Sequence, residues 1–240
     1  IKNDTRDLEE YYSKKYNFDS VSDESGKLYF YEGDPEYNKQ IVEWVTNRTE
    51  GFSLLEIGCN AGFLLERFKK KGYDINGIDP GKKAIAAAKS RDVDVIEGMI
   101  ETTSFDRSFD SILLIQTLEH FRHPLKNLKK IRSLLYGKLF IDIPDLDASN
   151  GVFRLMLKGR LYPSPNHLFV FTRKTIVDLL HRAGFLIEEI TSFEGNIRVV
   201  AVPGETRDRI KGDSAFRVYF KVQTTRLMLR LGLKNGLIHV

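Results

Sequence analysis

Several things are scarce in this chain, and each shortage excludes a class of protein. There is one cysteine, Cys59, so an internal disulfide is excluded and a reducing, cytoplasmic setting is expected. No stretch approaches the roughly 18 apolar residues of a membrane-spanning helix. The first ten residues, IKNDTRDLEE, are polar and charged and do not read as a signal peptide; residue 1 is Ile rather than Met. Internal repeats and low-complexity segments are absent. The histidines and acids do not fall at metal-ligand spacing on any one element, so no metal site is expected. The dinucleotide fingerprint G-x-G-x-x-G is missing as well.

What remains suits one large domain with additions. The chain has 240 residues, 42% of them hydrophobic, which is enough for a full core. Net charge is +4, unevenly placed: Pro203 to Val240 carries +5 and the remainder about −1. The near-neutral main part argues against a nucleic-acid surface there, and no nucleic-acid partner is expected.

The chain is organised around Leu54 to Asp79, LLEIGCNAGFLLERFKKKGYDINGID. Leu54, Leu55 and Ile57 form a short apolar run ending in Gly58-Cys59-Asn60-Ala61-Gly62. Phe63, Leu64, Leu65 and Phe68 then recur at helical spacing. Gly72 stops that helix, and Tyr73 to Ile78 make the next strand. This is a βαβ unit whose turn lets a ligand approach the backbone. Further on, Pro80 to Arg91 reads as a helix, Val93 to Glu97 and Ser111 to Ile115 as strands, Pro124 to Leu135 as a helix ended by Gly137, and Lys138 to Ile143 as a strand. Thr172 caps a helix from Arg173 to Ala183, ended by Gly184. Phe185 to Ile190 and Ile197 to Val202 are joined around Glu194-Gly195-Asn196, which predicts a hairpin and an antiparallel last strand. The expected fold is therefore α/β: a doubly wound, seven-stranded, mostly parallel sheet over residues 51–202.

Three additions flank or interrupt it. Residues 1–50 form an N-terminal helical segment, with helices expected over Leu8–Tyr16 and Glu36–Asn47 and a polar loop between. Its tyrosines, Tyr11, Tyr12, Tyr16, Tyr29 and Tyr31, suit either a docking face or a lid over a ligand. Residues 144–167 break the alternation after a strand's C-terminal end, where an insertion covers the ligand crevice of such sheets. Residues 203–240 form a basic amphipathic tail, in which Phe216, Phe220, Leu227, Met228 and Leu231 recur at helix-like intervals beside Arg217, Lys221, Arg226 and Arg230. Two readings of 214–231 stand: a helix packed on its own domain or on a second subunit of a homodimer, or a helix on an anionic membrane surface.

The glycine turn decides the ligand class. Asn60 occupies the middle position where a dinucleotide site needs glycine. What remains, E-x-G-x-x-x-G from Glu56 to Gly62, resembles the first motif of the class I, Rossmann-like S-adenosylmethionine-dependent methyltransferases. The helix N-terminus after Gly62 favours that cofactor's carboxylate, and Glu56 can balance its ammonium. Asp79, 21 residues after Gly58, stands where an acid accepts ribose hydroxyls, with Pro80 beside it. By itself Asp79 would also suit a nicotinamide cofactor or cap the following helix.

The resemblance extends from about residue 50 to 202. IEGMIETTSF, Ile96 to Phe105, is similar to the loop that holds the adenine. Met99 stands where many relatives have an acid, Ile100 would supply a backbone N–H and an apolar face, and Glu101 is either a substitute acid or a surface residue. Gln116 and Thr117 fall where relatives line the methionine part, and Leu118-Glu119-His120 matches a frequent L-E-H signature. Asn166 to Phe185 resembles the late motif of the small-molecule branch, with His167 directly after the cover segment.

This resemblance implies S-adenosyl-L-methionine as cofactor, S-adenosyl-L-homocysteine as product, and a small-molecule or lipid- or glycan-precursor acceptor. Either His167 or His120 would be the base for O-methylation; each could instead be structural. His123 reads as a solvent-facing turn residue and His181 as structural. A non-catalytic cofactor-binding sensor or scaffold is the alternative. An RNA methyltransferase is a weaker one, because the main domain is near neutral and lacks an N-P-P-Y motif.

Overall fold

The computed structural model describes residues 20–22, 28–30, 35–146 and 167–205. The expected Leu8–Tyr16 helix, most of the cover segment and the tail beyond residue 205 lie outside these residues.

Two short strands, β1 (Ser20–Ser22) and β2 (Leu28–Phe30), pair antiparallel with Val21 opposite Tyr29. The sequence predicts a polar loop here; three-residue strands are too short to show period-two alternation. Helix α1 (Pro35–Thr46) follows, its proline at the first turn as expected, with Ile41, Val42, Trp44 and Val45 buried. The main domain then runs β3 (Ser53–Ile57), α2 (Phe63–Lys70), β4 (Asp74–Asp79), α3 (Lys82–Lys89), β5 (Val95–Glu97), β6 (Phe109–Ile115), a 3₁₀ turn (Leu118–His120), α4 (Pro124–Ser133), β7 (Leu135–Pro144), α5 (Arg173–Ala183), β8 (Phe185–Phe193) and β9 (Asn196–Pro203).

The seven strands β3 to β9 form one sheet in the order β5-β4-β3-β6-β7-β9-β8. Only β9 opposes its neighbours, pairing antiparallel with both β7 and β8. The Glu194-Gly195 turn between β8 and β9 has both residues at positive φ, 49° and 88°, the geometry of a tight two-residue hairpin. The predicted doubly wound sheet with an antiparallel last strand is thus present.

The chain winds outward from β3 to β5, then returns to place β6 on the other side of β3. That reversal opens a crevice beyond the C-terminal ends of β3 and β6. Register divides the core between the sheet's two faces. Leu55, Ile112, Leu139 and Ala201 form one row across four strands and join the cluster that includes Leu128 and Ile131 of α4 and Ile176 and Leu180 of α5. Glu56, Leu113, Phe140 and Val200 form the next row. There Leu113, Phe140 and Val200 pack with residues of α1, α2 and α3, and Trp44 meets Phe140 edge-on at 5.3 Å. Glu56 is the one charged residue of that row, which is why it carries no apolar partner role.

Several boundaries differ from expectation. Helix α3 begins at Lys82, not Pro80, with Gly81 as its N-cap. Helix α4 ends at Ser133, with Leu134 at its C-cap, so Gly137 does not end a helix but lies inside β7. A Cβ at Gly137 would collide with the Asp110 carbonyl oxygen, where β6 and β7 change register. Close strand approach, not helix termination, requires that glycine. Among the described residues no helix is long and apolar enough to cross a membrane.

Candidate active site

The glycine turn lies at the mouth of the crevice. Gly58, Asn60 and Gly62 all have positive φ, 80°, 46° and 74°. Asn tolerates that left-handed region better than most residues, which lets position 60 dispense with glycine. A Cβ on Gly58 would collide with the side chain of Thr117, so β6's exit loop presses directly on the turn. Thr117 donates its hydroxyl to the Ile115 carbonyl at 2.9 Å and is held there.

Asp79 ties the turn to its neighbour. One carboxylate oxygen accepts the Asn60 N–H at 2.9 Å, and the other accepts the Gly81 N–H at 2.7 Å. The alternative of a helix cap is not what Asp79 does: α3 takes Gly81 as its N-cap with no side-chain cap bond, and Asp79 braces the β4–α3 turn instead. Each carboxylate oxygen has a second lone pair, so Asp79 retains the capacity to accept ribose hydroxyls. Pro80 lies between Asp79 and Gly81 and is half-buried.

Glu56 is 5% exposed, and its Oε2 has no hydrogen-bond partner. Burial, reinforced by the nearby Asp79 charge, pushes its carboxyl up to about 8. A buried carboxylate oxygen without a donor is costly, and an ammonium would satisfy it. A buried acid with one orphaned oxygen, two residues before a Gly58 that has no room for a Cβ, fits the methionine end of S-adenosylmethionine. Glu56, the turn amides and Asp79 are the residues that would hold it.

The loop after β5 shows a different division of labour. Met99 is half-buried, and its carbonyl accepts the N–H groups of Thr102 and Thr103. Ile100 is 2% exposed and belongs to the core on the α4 and α5 face, so its side chain is a structural anchor. Glu101 accepts from the buried Asn127 amide of α4 through one carboxylate oxygen, which ties this loop to α4.

Gln116, at φ 50°, donates its side-chain amide to Asp142 Oδ1 at 2.8 Å. Its side chain is committed to β7, whereas Thr117 faces the turn. Asp142 is fully buried and also accepts from the Tyr37 hydroxyl at 2.7 Å, the Asn196 amide at 2.8 Å and Arg198 Nε at 2.8 Å. Burial and the Asp142 charge hold the Tyr37 hydroxyl far above its usual range, so Tyr37 stays protonated and donates to Asp142.

Beyond Thr117, the 3₁₀ turn carries Glu119 and His120. The Glu119 carbonyl accepts the N–H groups of Leu168 and Phe169 at 2.9 and 3.1 Å, which brings His167 alongside. The His120 and His167 rings lie edge to face with centroids 4.8 Å apart. Burial, with the His120 charge second, pulls His167 down to about 4, so its imidazole is neutral near pH 7. Glu119 is 1% exposed, and neither carboxylate oxygen has a partner. Burial pushes its carboxyl up to about 8. One ligand atom from each of Glu119, His120 and His167 lies within 4.8 Å of the other two, a set able to hold a metal ion. Spacing along single elements predicts no such set; the fold assembles it from two elements.

His123 is the exposed N-cap of α4, as expected of a turn residue. His181 lies in α5 with a buried Nδ1 that has no partner. Sequence reasoning missed Tyr37, Asp142, Asn196 and Arg198, and gave Glu119 no role of its own. For Asp142 and Arg198 the signal was a lone charge within an apolar strand, LFIDIP and NIRVVAV; Tyr37 and Asn196 had no such signal.

Comparison with known proteins agrees with this geometry. The chain is 30% identical over 119 residues to the ubiquinone biosynthesis O-methyltransferase of Rhodopseudomonas palustris (strain TIE-1), covering 47% of each chain. It is 29% identical over 147 residues to the tRNA U34 carboxymethyltransferase of Campylobacter concisus, covering 56% of this chain and 50% of that one. The chain spans about half the length of the curated relatives it matches. The crystal structure of magnesium protoporphyrin IX methyltransferase from Synechocystis PCC 6803 with bound SAH superimposes with a TM-score of 0.58 at 17% identity, over 70% of this chain and 83% of that one. At that identity the likeness concerns the fold alone. A family model described as a methyltransferase domain matches residues 7–190, most of the chain. With the glycine turn, the acid at the end of β4 and the sheet order already in place, this chain belongs to the methyltransferase domain family.

Proposed function

We propose that this protein transfers a methyl group from S-adenosylmethionine to a hydroxyl of a small-molecule acceptor, with His167 as the base. The observation that carries the reading is the neutral, half-buried His167 edge-on to His120, whose backbone N–H bonds the carbonyl of the Thr117 that presses on the glycine turn. When bound, the cofactor supplies an electrophilic methyl on a sulfonium. The chain's task is then to orient the acceptor, exclude water and take one proton. Glu56 balances the ammonium, the turn amides meet the carboxylate, and Asp79 accepts from the ribose.

His167 is a weak base with its pKa near 4, yet that suffices. An acceptor oxygen becomes strongly acidic as it gains a bond to carbon, so the proton leaves late and needs only a neutral acceptor in place. The balance is one acceptor O–H and one S–CH3 bond broken, one O–CH3 and one N–H bond formed. Burial, with His120 second, keeps His167 neutral before the step. Curated relatives that include ubiquinone biosynthesis O-methyltransferases support a small-molecule acceptor. A lipid- or glycan-precursor acceptor goes with the membrane-surface reading of 214–231, and a homodimer with the alternative that this helix packs on a second subunit; both rest on that segment's sequence.

The test uses label from S-adenosylmethionine and extracts of the protein's own cells. His167→Gln is expected to lower turnover roughly 10²–10⁴-fold, with S-adenosylhomocysteine affinity unchanged; equal turnover in wild type and variant would refute the base. Tight binding without labelled product would favour the sensor reading, and label in RNA the nucleic-acid one. A second reading is favoured by Glu119, whose two unpartnered oxygens are what a cation needs. In it, Glu119, His120 and His167 are ligands, and a chelator abolishes turnover.

A further inference from the structure

The Asp142 network has one member left unsatisfied. Asp142 receives four donors, so its lost hydration is replaced in full. Arg198 is 6% exposed and spends Nε on Asp142, but its Nη2 is buried without any hydrogen-bond partner. The guanidinium sits among aromatic rings: its central carbon is 4.0 Å from the Phe193 ring centroid, 5.5 Å from Trp44 and 5.8 Å from Tyr37. Ring faces attract the cation, but they do not replace an acceptor for an N–H. A charged donor left orphaned in such surroundings is a cost that a ligand oxygen would remove.

Its place in the fold connects it to the transfer site. Ile115, Asp142 and Arg198 form one row across β6, β7 and β9, at the C-terminal ends of β6 and β7. Gln116 follows Ile115 and bonds Asp142; Thr117 follows Gln116 and abuts Gly58. The network therefore lies at the C-terminal ends of β6 and β7, across β3 and β6 from Asp79, with the start of α1 joined to it through Tyr37.

We propose that Arg198 Nη2 anchors a carboxylate of the methyl acceptor, an inference that rests on the methyl-transfer reading and names the acceptor's chemical class. Asp142 already neutralises one unit of charge, so the site is close to electroneutral without ligand. It suits a single monoanionic oxygen and not a phosphate dianion, and its aromatic walls suit a carboxylate borne on a flat ring. Asp142, held by Tyr37, Gln116 and Asn196, is the positioning residue that fixes the guanidinium plane.

Trp44 is the only tryptophan in the chain, so its emission reports this site without ambiguity. The protein is saturated with S-adenosylhomocysteine and titrated with benzoate. A saturable change in Trp44 emission is expected, absent with the neutral isostere benzamide, lost in Arg198→Gln and weakened at least about tenfold in Arg198→Lys, which keeps the charge but not the fork. S-adenosylhomocysteine affinity by calorimetry is expected to be the same in wild type and both variants, which also certifies their folding; should Arg198→Gln fail that check, Arg198→Lys decides. Benzoate that titrates Arg198→Gln as it does wild type, or gives no saturable change, overturns the inference while leaving the donor reading intact. Inorganic phosphate competing as well as benzoate overturns the carboxylate assignment. Benzoate displaced by S-adenosylhomocysteine overturns it too, by assigning Nη2 to the cofactor's own carboxylate. A wild type that binds no S-adenosylhomocysteine sinks the methyl-transfer reading, and this inference with it.

Discussion

Glu56 offers the sharpest test of how the donor is held. Its carboxyl is pushed up to about 8 by burial and by Asp79, and its Oε2 has no partner. Near pH 7 roughly nine in ten molecules therefore carry a proton there. An ammonium arriving beside Glu56 must expel that proton, at a cost of about 1.4 kcal/mol per pH unit below the pKa. Binding of S-adenosylhomocysteine, which keeps the ammonium, should then release close to one proton at pH 7. Affinity should climb with pH, by roughly 50-fold from pH 6 to pH 8, the ratio of ionised fractions for a group titrating near 8.

Glu56→Gln removes the titration and leaves a neutral amide of the same shape. Its affinity should be flat with pH and its binding should release no proton. A charge-assisted hydrogen bond contributes about 1.5–3 kcal/mol over its neutral loss, so the variant should be roughly 10- to 150-fold weaker than wild type once Glu56 is ionised. Near pH 6 the ionisation cost, about 2.7 kcal/mol, cancels or exceeds that advantage, and the variant should bind as tightly as wild type or up to about tenfold more tightly. Calorimetry in two buffers of different ionisation heat counts the protons directly. A wild type that releases none, or a Glu56→Gln protein with the same pH slope, would show that the ammonium lies elsewhere.

Much of this was legible in the chain. The glycine turn, the Asp79 position, the α5 caps and the Glu194-Gly195 hairpin all depend on residues within a few positions of each other, where local sterics dictate the outcome. Thr172 and Thr175 do form a reciprocal capping box, and Gly184 does adopt a left-handed φ of 86°. The Asp142–Arg198 pair was not legible. It joins residues 56 positions apart, and only the register of β7 against β9 makes them neighbours. The same holds for Glu119 and His167, which meet because the Glu119 carbonyl captures the backbone after His167. An L-E-H signature shows that a histidine is available, whereas the burial of the adjacent glutamate follows from which side of the 3₁₀ turn faces the core. Boundaries failed for a related reason: at Gly137 the nearby Asp110 carbonyl, distant in sequence, outweighs the local tendency of glycine to end a helix.

Two further perturbations test the site's other walls. Gly58→Ala places a Cβ against the Thr117 side chain at a φ of 80°, and should weaken S-adenosylhomocysteine binding at least about tenfold through turn displacement. Gly72→Ala shares the positive φ but meets no atom within 4 Å, and should cost stability without changing affinity; equal affinities for both variants would remove the turn from the site. Glu119→Gln tests the buried acid through stability. The folded carboxyl titrates near 8 against an ordinary 4.5, so between those values the folded chain holds a proton that the unfolded chain has released. Stability must therefore fall as pH rises through that window, at up to about 1.4 kcal/mol per pH unit for this group, and Glu56 adds a slope of the same sign. Glu119→Gln cannot ionise, so its thermal unfolding midpoint should decline less steeply from pH 5 to pH 8 and should exceed that of wild type at the upper end. Parallel curves would mean that Glu119 finds a compensating partner on ionising. A divalent cation distinguishes that partner: if Glu119, His120 and His167 hold one, it raises the wild-type midpoint at pH 8 and leaves Glu119→Gln unmoved, because the variant lacks the only anionic ligand of the three.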